Sequence, residues 1–115
     1  MSVRNKENAE HYSWGGACDG WRLLNREDLS VIQERIPPGL GEVVHYHSRS
    51  RQLFYVIQGQ LEIELEGEKV LLASGDSFEI APMHHHRVTN SSEADAHFLV
   101  ISSPSTTNDR VNLER

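Results

Sequence analysis

The chain has 115 residues, which is enough for one domain and too few for a second hydrophobic core. Its net charge of −6, with acidic and basic residues interspersed, lacks the clustered basic face that a nucleic-acid binder needs, so we expect no nucleic-acid partner. No apolar run is long enough to span a bilayer, so we expect no membrane partner, and the single cysteine, Cys18, predicts a reducing, cytoplasmic setting.

The first half of the chain predicts an arm followed by short strands. Residues 1–21 are expected to form a polar N-terminal arm, with a glycine-rich loop from residue 14 to residue 21. The first predicted strand covers residues 29–36, which are rich in β-branched side chains and are followed by two prolines. An extended segment over residues 42–47 and a strand over residues 53–57 come next.

The second half contains the strongest strand pattern. Leu61, Ile63 and Leu65 alternate with glutamates, which predicts a strand with one buried face, and the chain then returns antiparallel through residues 70–72. Further strands are predicted over residues 77–80 and from residue 96 to 102, before a polar tail at 104–115. No stretch has a helical period over three turns. The sequence therefore predicts one all-β domain, a barrel or sandwich with its core at about residues 22–103.

Histidine is the unusual feature of the composition, with seven residues in the chain and five of them between positions 45 and 86. His45 and His47 are two apart in a strand-like segment, so both imidazoles face the same side and could share one ion. Gln52 follows a short turn later, and His86 lies on a strand that could pair across the barrel. Three imidazoles and one side-chain oxygen suit a first-row divalent metal ion. The alternative is that these histidines belong to solvated surface segments.

Two sets of spaced residues resemble the two motifs of the cupin family. The first set is Gly39, His45, His47, Gln52 and Gly59, and the second is Gly75, Ala81, Pro82, His86 and Asn90. The short spacing between them is similar to that of small, single-domain bacterial cupins, and the resemblance covers residues 29–101. It implies a cupin-type double-stranded β-helix, or jelly-roll barrel, that forms a homodimer and holds one divalent ion (Zn, Mn, Fe or Ni) on His45, His47, Gln52 and His86.

Gln52 departs from the family pattern, which usually has glutamate at this position. A neutral amide leaves the full dipositive charge on the metal, so we expect weaker metal binding and a stronger Lewis acid. Glutamine also cannot act as a general base. The alternative is that Gln52 does not ligate and that the three histidines hold the ion alone.

An apolar pocket beside the metal is the last sequence prediction. If Gln52 faces inward, alternation also points Phe54 and Val56 into the barrel, and Phe78 would lie on the inner face of a later strand. These three residues are candidate substrate contacts, with an ordinary core role as the alternative. The predicted function is a metal-dependent enzyme of the dioxygenase, isomerase or cyclase type acting on a small organic molecule. A non-catalytic small-molecule-binding or sensor protein is the second interpretation, and a barrel with an incidental metal site is the third.

Overall fold

The computed structural model describes residues 2–113, and within this range the regular structure is entirely β. The strands in chain order are β1 (Glu10–Trp14), β2 (Cys18–Asn25), β3 (Ser30–Ile36), β4 (His45–Tyr46), β5 (Arg51–Gln58), β6 (Leu61–Leu65), β7 (Glu68–Leu72), β8 (Ser77–Ile80), β9 (His86–Thr89), β10 (Ala96–Ser103) and β11 (Val111–Asn112). Met1 and residues 114–115, the ends of the predicted arm and tail, lie outside the described residues. In residues 2–113 no helix has the length and apolar character that crossing a bilayer requires.

The strands form two antiparallel sheets that face each other. The larger sheet has the order β1-β2-β3-β10-β5-β8, and the smaller has the order β11-β4-β9-β6-β7. Strands that neighbour each other in space are often far apart in the chain, as in the pairing of β3 with β10 and of β10 with β5. This is the double-stranded β-helix, so the predicted all-β cupin-type fold is confirmed.

The core lies between the sheets and follows from alternation along each strand. In β10, Ala96, Phe98 and Val100 are buried while the residues between them face outward. In β6, the buried faces of Leu61 and Ile63 agree with the pattern read from the sequence. Full burial of each large apolar side chain contributes about 1.5–3 kcal/mol to stability, so this layer fixes the register of both sheets.

The N-terminal segment differs from its prediction as an arm and loop. Residues 10–25 form a hairpin, β1 and β2, that extends the larger sheet beyond β3. Its turn contains Gly15 and Gly16, both with positive φ angles. The sequence pattern missed this hairpin because few of its residues are aliphatic, so hydrophobic alternation is weak there.

The C-terminal segment also differs from a free tail. β11 pairs with β4 through Val111 and Asn112, and Leu113 N donates a hydrogen bond of 2.8 Å to Val44 O. β4 is itself much shorter than the extended segment predicted over residues 42–47, because only His45 and Tyr46 take part in the ladder. Two short strands therefore support each other at the edge of the smaller sheet.

Candidate metal centre

The structure brings three of the four predicted ligands into one cluster. His45 on β4 is directly opposite His86 on β9, and His47 comes one residue after β4 ends. The ring centroids of His45 and His86 are 4.3 Å apart, and the ring of His47 lies 5.0 Å from the first and 5.6 Å from the second. One ligand nitrogen of each ring lies within 4.8 Å of those of the other two, and all three side chains are buried.

Backbone carbonyls orient all three imidazoles. Each Nδ1 bonds a main-chain oxygen: His45 to Val43 (3.0 Å), His86 to His84 (2.9 Å) and His47 to Asp109. A carbonyl only accepts hydrogen bonds, so each Nδ1 carries the proton and each Nε2 presents a lone pair. The Nε2 atom of His86 is buried and has no hydrogen-bond partner. Oriented rings with a free Nε2 are the arrangement that metal-binding histidines adopt.

Burial also keeps these rings neutral. Desolvation lowers the pKa of His45 to about 3 and that of His86 to about 4, because the imidazolium form loses its hydration. The pKa of His47 is lowered for the same reason. A neutral imidazole needs no proton removed before it coordinates a metal. The buried, unsatisfied nitrogen of His86 and the neutral state of the rings fit a bound divalent ion.

Gln52, on β5, has one satisfied and one unsatisfied end. Its Nε2 donates a hydrogen bond of 3.1 Å to Ser102 Oγ on the neighbouring strand β10. Its Oε1 is buried without a partner, which costs free energy unless another group binds it. Gln52 lines the same cavity as His45 and His47, so its free oxygen can reach a ligand there.

The C-terminal segment holds the loop that follows His47. The carboxylate of Asp109 accepts hydrogen bonds from the backbone N–H groups of Ser48 (2.7 Å), Arg49 (3.0 Å) and Ser50 (2.9 Å). Burial tends to raise the pKa of Asp109, but these three bonds outweigh it and lower that pKa below its ordinary value. Since the carbonyl of Asp109 also accepts the His47 ring proton, this residue positions both the ligand and its loop. The sequence contained no signal for this role.

A cavity of about 430 Å³ opens next to the histidines between the two sheets. Of the three predicted substrate contacts, Phe54 lines this cavity. Val56 and Phe78 do not line it and instead belong to the hydrophobic core. Val56 is the next inward-facing residue after Phe54 on β5, and Phe78 lies on β8 at the edge of the sheet. Alternation therefore predicted correctly that both side chains face inward, but both lie outside the cavity lining.

Two acidic residues, Glu34 and Glu42, also line the cavity, and the sequence pattern did not identify them. Tyr12 Oη donates a hydrogen bond of 3.0 Å to Glu34 Oε2. Burial and the neighbouring charge of Glu42 raise the pKa of Glu34 to about 8, and burial raises the pKa of Glu42 to about 7. Glu42 Oε1 lies 3.9 Å from His45 Nε2, and Glu42 Oε2 lies 3.5 Å from a guanidinium nitrogen of Arg110.

One sequence signal could have revealed Glu34. It alternates with Ile32 and Ile36 on β3, and all three face inward, so an acid interrupts an otherwise apolar row. A half-buried carboxylate in a cavity is costly and is a common feature of functional sites. Tyr12 gave no such signal, because hydrophobic alternation is weak in its segment.

Comparisons with known proteins agree with the fold. The sequence model of the family described as "Cupin domain" matches residues 32–102. An uncharacterised protein of Methanocaldococcus jannaschii is 27% identical over 75 residues, which are 65% of this chain and 60% of that protein. The polyketide synthase CurC of Streptomyces cyaneus is 33% identical over 67 residues, 58% of this chain and 44% of CurC. The chain therefore spans less than two thirds of the length of each of these two relatives.

Among solved structures, that of KdgF from Halomonas sp. superposes with a TM-score of 0.82 at 27% identity. The superposition covers 91% of this chain and 94% of KdgF. A cupin from Shewanella frigidimarina gives the same TM-score, 0.82, at 23% identity, and covers 94% of this chain and 95% of that one. The second likeness supports the fold alone.

Proposed function

This chain belongs to the Cupin domain family, and from that premise we propose that it is a metal-dependent enzyme acting on a small organic molecule. In this proposal His45, His47 and His86 hold one divalent ion, either Zn, Mn, Fe or Ni, and Gln52 supplies a fourth ligand atom. Substrate binds in the cavity between the histidines and the acidic residues.

The observation that carries the metal site is the cluster of three buried histidines, whose ligand nitrogens lie within 4.8 Å of one another. Each histidine uses Nδ1 on a backbone carbonyl, so each Nε2 is left for a ligand. The buried Nε2 of His86 and the buried Oε1 of Gln52 both lack a partner. A divalent cation held by the three histidines would satisfy the nitrogen of His86, and in this proposal it also binds the oxygen of Gln52.

The cavity favours the isomerase type of chemistry among the three types that the sequence left open. A metal ion bound here would act as a Lewis acid on a substrate oxygen, and it would be a strong one because Gln52 is neutral. Phe54, Val100 and Ile32 give the cavity an apolar side that restricts water. Glu34 offers a carboxyl group that can exchange a proton with the substrate. A proton transfer would use the metal-binding residues, the apolar side and the carboxyl group of Glu34 together.

Metal titration tests the proposal directly. Isothermal titration of the metal-free protein with Zn²⁺ and with Mn²⁺ should give one site per chain. Gln52→Glu should bind more tightly, because a carboxylate adds charge attraction, and Gln52→Leu should bind more weakly. Equal affinity of wild type and Gln52→Leu would remove Gln52 from the site and leave three histidines. Absence of binding to the wild type would overturn the proposal.

A small-molecule-binding or sensor role without turnover is the second candidate. Gln52 favours it, because an amide replaces a carboxylate that could have taken a proton next to the metal. Thermal-shift measurements with a panel of small sugars, hydroxy acids and, given the similarity to CurC, polyketides separate the two. A binding protein would be stabilised by a compound that it leaves chemically unchanged, whereas an enzyme would convert it.

We also propose that the chain forms a homodimer through the outer face of the larger sheet. Tyr55 and Ile57 on β5 are 40% and 41% exposed, and Leu53, Leu99 and Ile101 lie beside them. A two-fold dimer would cover this patch with its own copy. Light scattering at tens of micromolar should give twice the chain mass for the wild type and the chain mass for Tyr55→Lys. A monomeric wild type would contradict this.

The cytoplasmic setting expected from the cysteine count stays part of the proposal. Cys18 is free and buried, and burial raises the pKa of its thiol to about 11, so it stays in the unreactive protonated form. Fractionation of the native source tests the compartment, and recovery outside the cytoplasm would contradict it.

A further inference from the structure

We propose that Glu34, positioned by Tyr12 across Gly20, is the residue that moves a proton to and from a small hydroxy-carbonyl substrate in the cavity. This rests on the proposed function, because the substrate oxygen must be polarised at the histidine cluster. The residues that carry it lie on β1, β2 and β3, outside the family's two sequence motifs.

The first step of the argument is the row that these residues form across three strands. Tyr12 is opposite Gly20, and Gly20 is opposite Glu34. Adjacent strands are about 4.8 Å apart, so the tyrosine must cross the whole of β2 to reach the acid. Its hydroxyl does so and donates a hydrogen bond of 3.0 Å to Glu34 Oε2.

Gly20 is what lets the phenol ring cross. A Cβ atom added at this position would lie 2.2 Å from Tyr12 Cζ and 2.5 Å from its hydroxyl oxygen. No side chain can occupy that space, so only glycine lets the ring lie flat on β2. The guanidinium carbon of Arg22 lies 4.5 Å from the ring centroid, which holds the tyrosine by a cation–π contact. The tyrosine is therefore fixed by β2 before any ligand arrives.

The hydrogen bond from Tyr12 leaves one carboxyl oxygen of Glu34 free for a ligand. It occupies Oε2 and fixes the plane of the carboxyl group, so Oε1 is the oxygen available to a molecule in the cavity that Glu34 lines. The raised pKa of Glu34, about 8, matches this role, since a proton that is held near neutral pH can be both accepted and returned. Tyr12 is a positioning residue in this scheme and Glu34 is the catalytic one.

The lining of the cavity indicates the class of substrate. The histidine side would hold a carbonyl oxygen at the metal, and the acidic side accepts hydrogen bonds from hydroxyl groups. The volume of about 430 Å³ falls within the usual range for small-molecule sites. A short compound with a hydroxyl group on the carbon next to its carbonyl satisfies both sides at once.

The proposed step conserves atoms and electrons. The C–H bond beside the carbonyl breaks and its proton bonds to Glu34 Oε1, while the electron pair forms a C=C bond and the carbonyl π pair moves onto oxygen. Glu34 then returns the proton to the former carbonyl carbon, and the neighbouring hydroxyl proton passes to the other oxygen. The carbonyl has moved by one carbon, so the net reaction is an isomerisation that needs no oxidant or reductant.

Deuterium exchange tests the catalytic residue. The protein loaded with Zn²⁺ or Mn²⁺ is incubated in D₂O with glyceraldehyde, dihydroxyacetone or xylose, and proton NMR follows loss of the C–H signal beside the carbonyl. We expect exchange with the wild type and a fall of about 100-fold or more with Glu34→Gln, the low end of the usual contribution of a general base. Glu79→Gln, on the exposed side of β8, is the matched control and should exchange at the wild-type rate.

Tyrosine ionisation in the metal-free protein tests the positioning residue. Burial and Glu34 raise the pKa of Tyr12, so ultraviolet titration should show one tyrosine that ionises well above the others. Glu34→Gln should lower that pKa, and Tyr12→Phe should remove the late transition. Tyr55→Phe, on the outer face of β5, should leave it in place. If Glu34→Gln leaves the pKa of the late transition unchanged, the proposed contact between Tyr12 and Glu34 is wrong.

Titration calorimetry of the same variants separates this inference from the proposed function. If the wild type binds no metal, the proposed function itself fails. If it binds metal but none of the three probes exchanges, or Glu34→Gln exchanges as fast as the wild type, the inference about Glu34 fails and the metal site stands.

Discussion

The two sides of the cavity are built in different ways. On the histidine side, formed by His45, His47, His86 and Gln52, backbone carbonyls orient the rings. For His45 and His86 the carbonyl is two residues away in the chain, and for His47 it is that of Asp109. On the acidic side, formed by Tyr12, Glu34 and Glu42, a side chain reaches its partner across an intervening strand. The histidine side therefore depends largely on local backbone geometry, and the acidic side depends on the alignment of three strands. We expect different mutations to disrupt each side.

Desolvation affects the two sides in opposite directions. It lowers the pKa of His45 and His86 and raises the pKa of Glu34, because burial disfavours the charged form of either kind of group. Near neutral pH the side chains that line the cavity therefore carry less charge than their composition suggests. Neutral imidazoles can coordinate a divalent cation directly, and a carboxyl group with a raised pKa can donate as well as accept a hydrogen bond.

The largest expected effect separates the two sides by metal affinity. His86→Ala removes a ligand, so it should weaken Zn²⁺ binding by more than the roughly 10–100-fold that loss of an outer partner costs. Glu34→Gln should leave the affinity within about threefold, since it removes no ligand. His85→Ala, whose ring stacks on Tyr46 instead, is the matched control. Titration calorimetry measures the Zn²⁺ affinity of all three variants. Equal losses of affinity in His86→Ala and Glu34→Gln would show that the two sides do not act separately in metal binding.

The next effect tests the C-terminal support of the histidine side. Asp109→Ala leaves three backbone N–H groups without their acceptor, and we expect a loss of about 3 kcal/mol in unfolding free energy. Because the loop after His47 loosens, Zn²⁺ affinity should also fall roughly 10-fold or more. Asp76→Ala is the control, since Asp76 caps a turn remote in sequence from the ligands by accepting from Ala73 N. Asp76→Ala should lower the free energy of unfolding without changing Zn²⁺ affinity. Urea unfolding measures the first quantity and titration calorimetry the second.

Gly20→Ala tests whether the ring of Tyr12 lies against β2 on the acidic side. The added Cβ collides with the ring of Tyr12, so we expect a loss of about 2 kcal/mol, as for overpacking elsewhere. In a Tyr12→Ala background the same change should cost little, because the ring is gone. Urea unfolding of the four proteins in this cycle measures the coupling. Additive losses would mean that the ring does not lie on Gly20 in solution.

The smallest effect is the pH dependence of the metal-free protein. The lowered pKa values of His45 and His86 mean that their contribution to stability is complete above about 6.5, their ordinary value, and is lost as the pH falls toward 4. Glu34 has a raised pKa, so its contribution is present below its ordinary 4.5 and is lost as the pH rises to about 8. Urea unfolding at several pH values should show a weaker decline between pH 5 and 8 in Glu34→Gln than in the wild type. An unchanged decline would contradict the raised pKa.

Prediction from sequence was most accurate where the signal was local. The alternation of Leu61, Ile63 and Leu65 and the boundaries of β8 followed from short-range pattern and turn chemistry. It was least accurate at both ends of the chain. β1, β2 and β11 have weak hydrophobic alternation. β11 is held by pairing with β4, far from it in the sequence, and the hairpin of β1 and β2 is held by pairing with β3.

Local patterns were sufficient to predict the all-β fold and to identify His45, His47 and His86 as candidate ligands, because strand alternation and motif spacing act over a few residues. The groups that surround those ligands became visible in the folded chain. Glu34 and Tyr12 are 22 positions apart, and Asp109 is 62 from His47, so these contacts depend on the order of strands in the sheets. Strand order reflects the packing of the whole core, which no local pattern encodes.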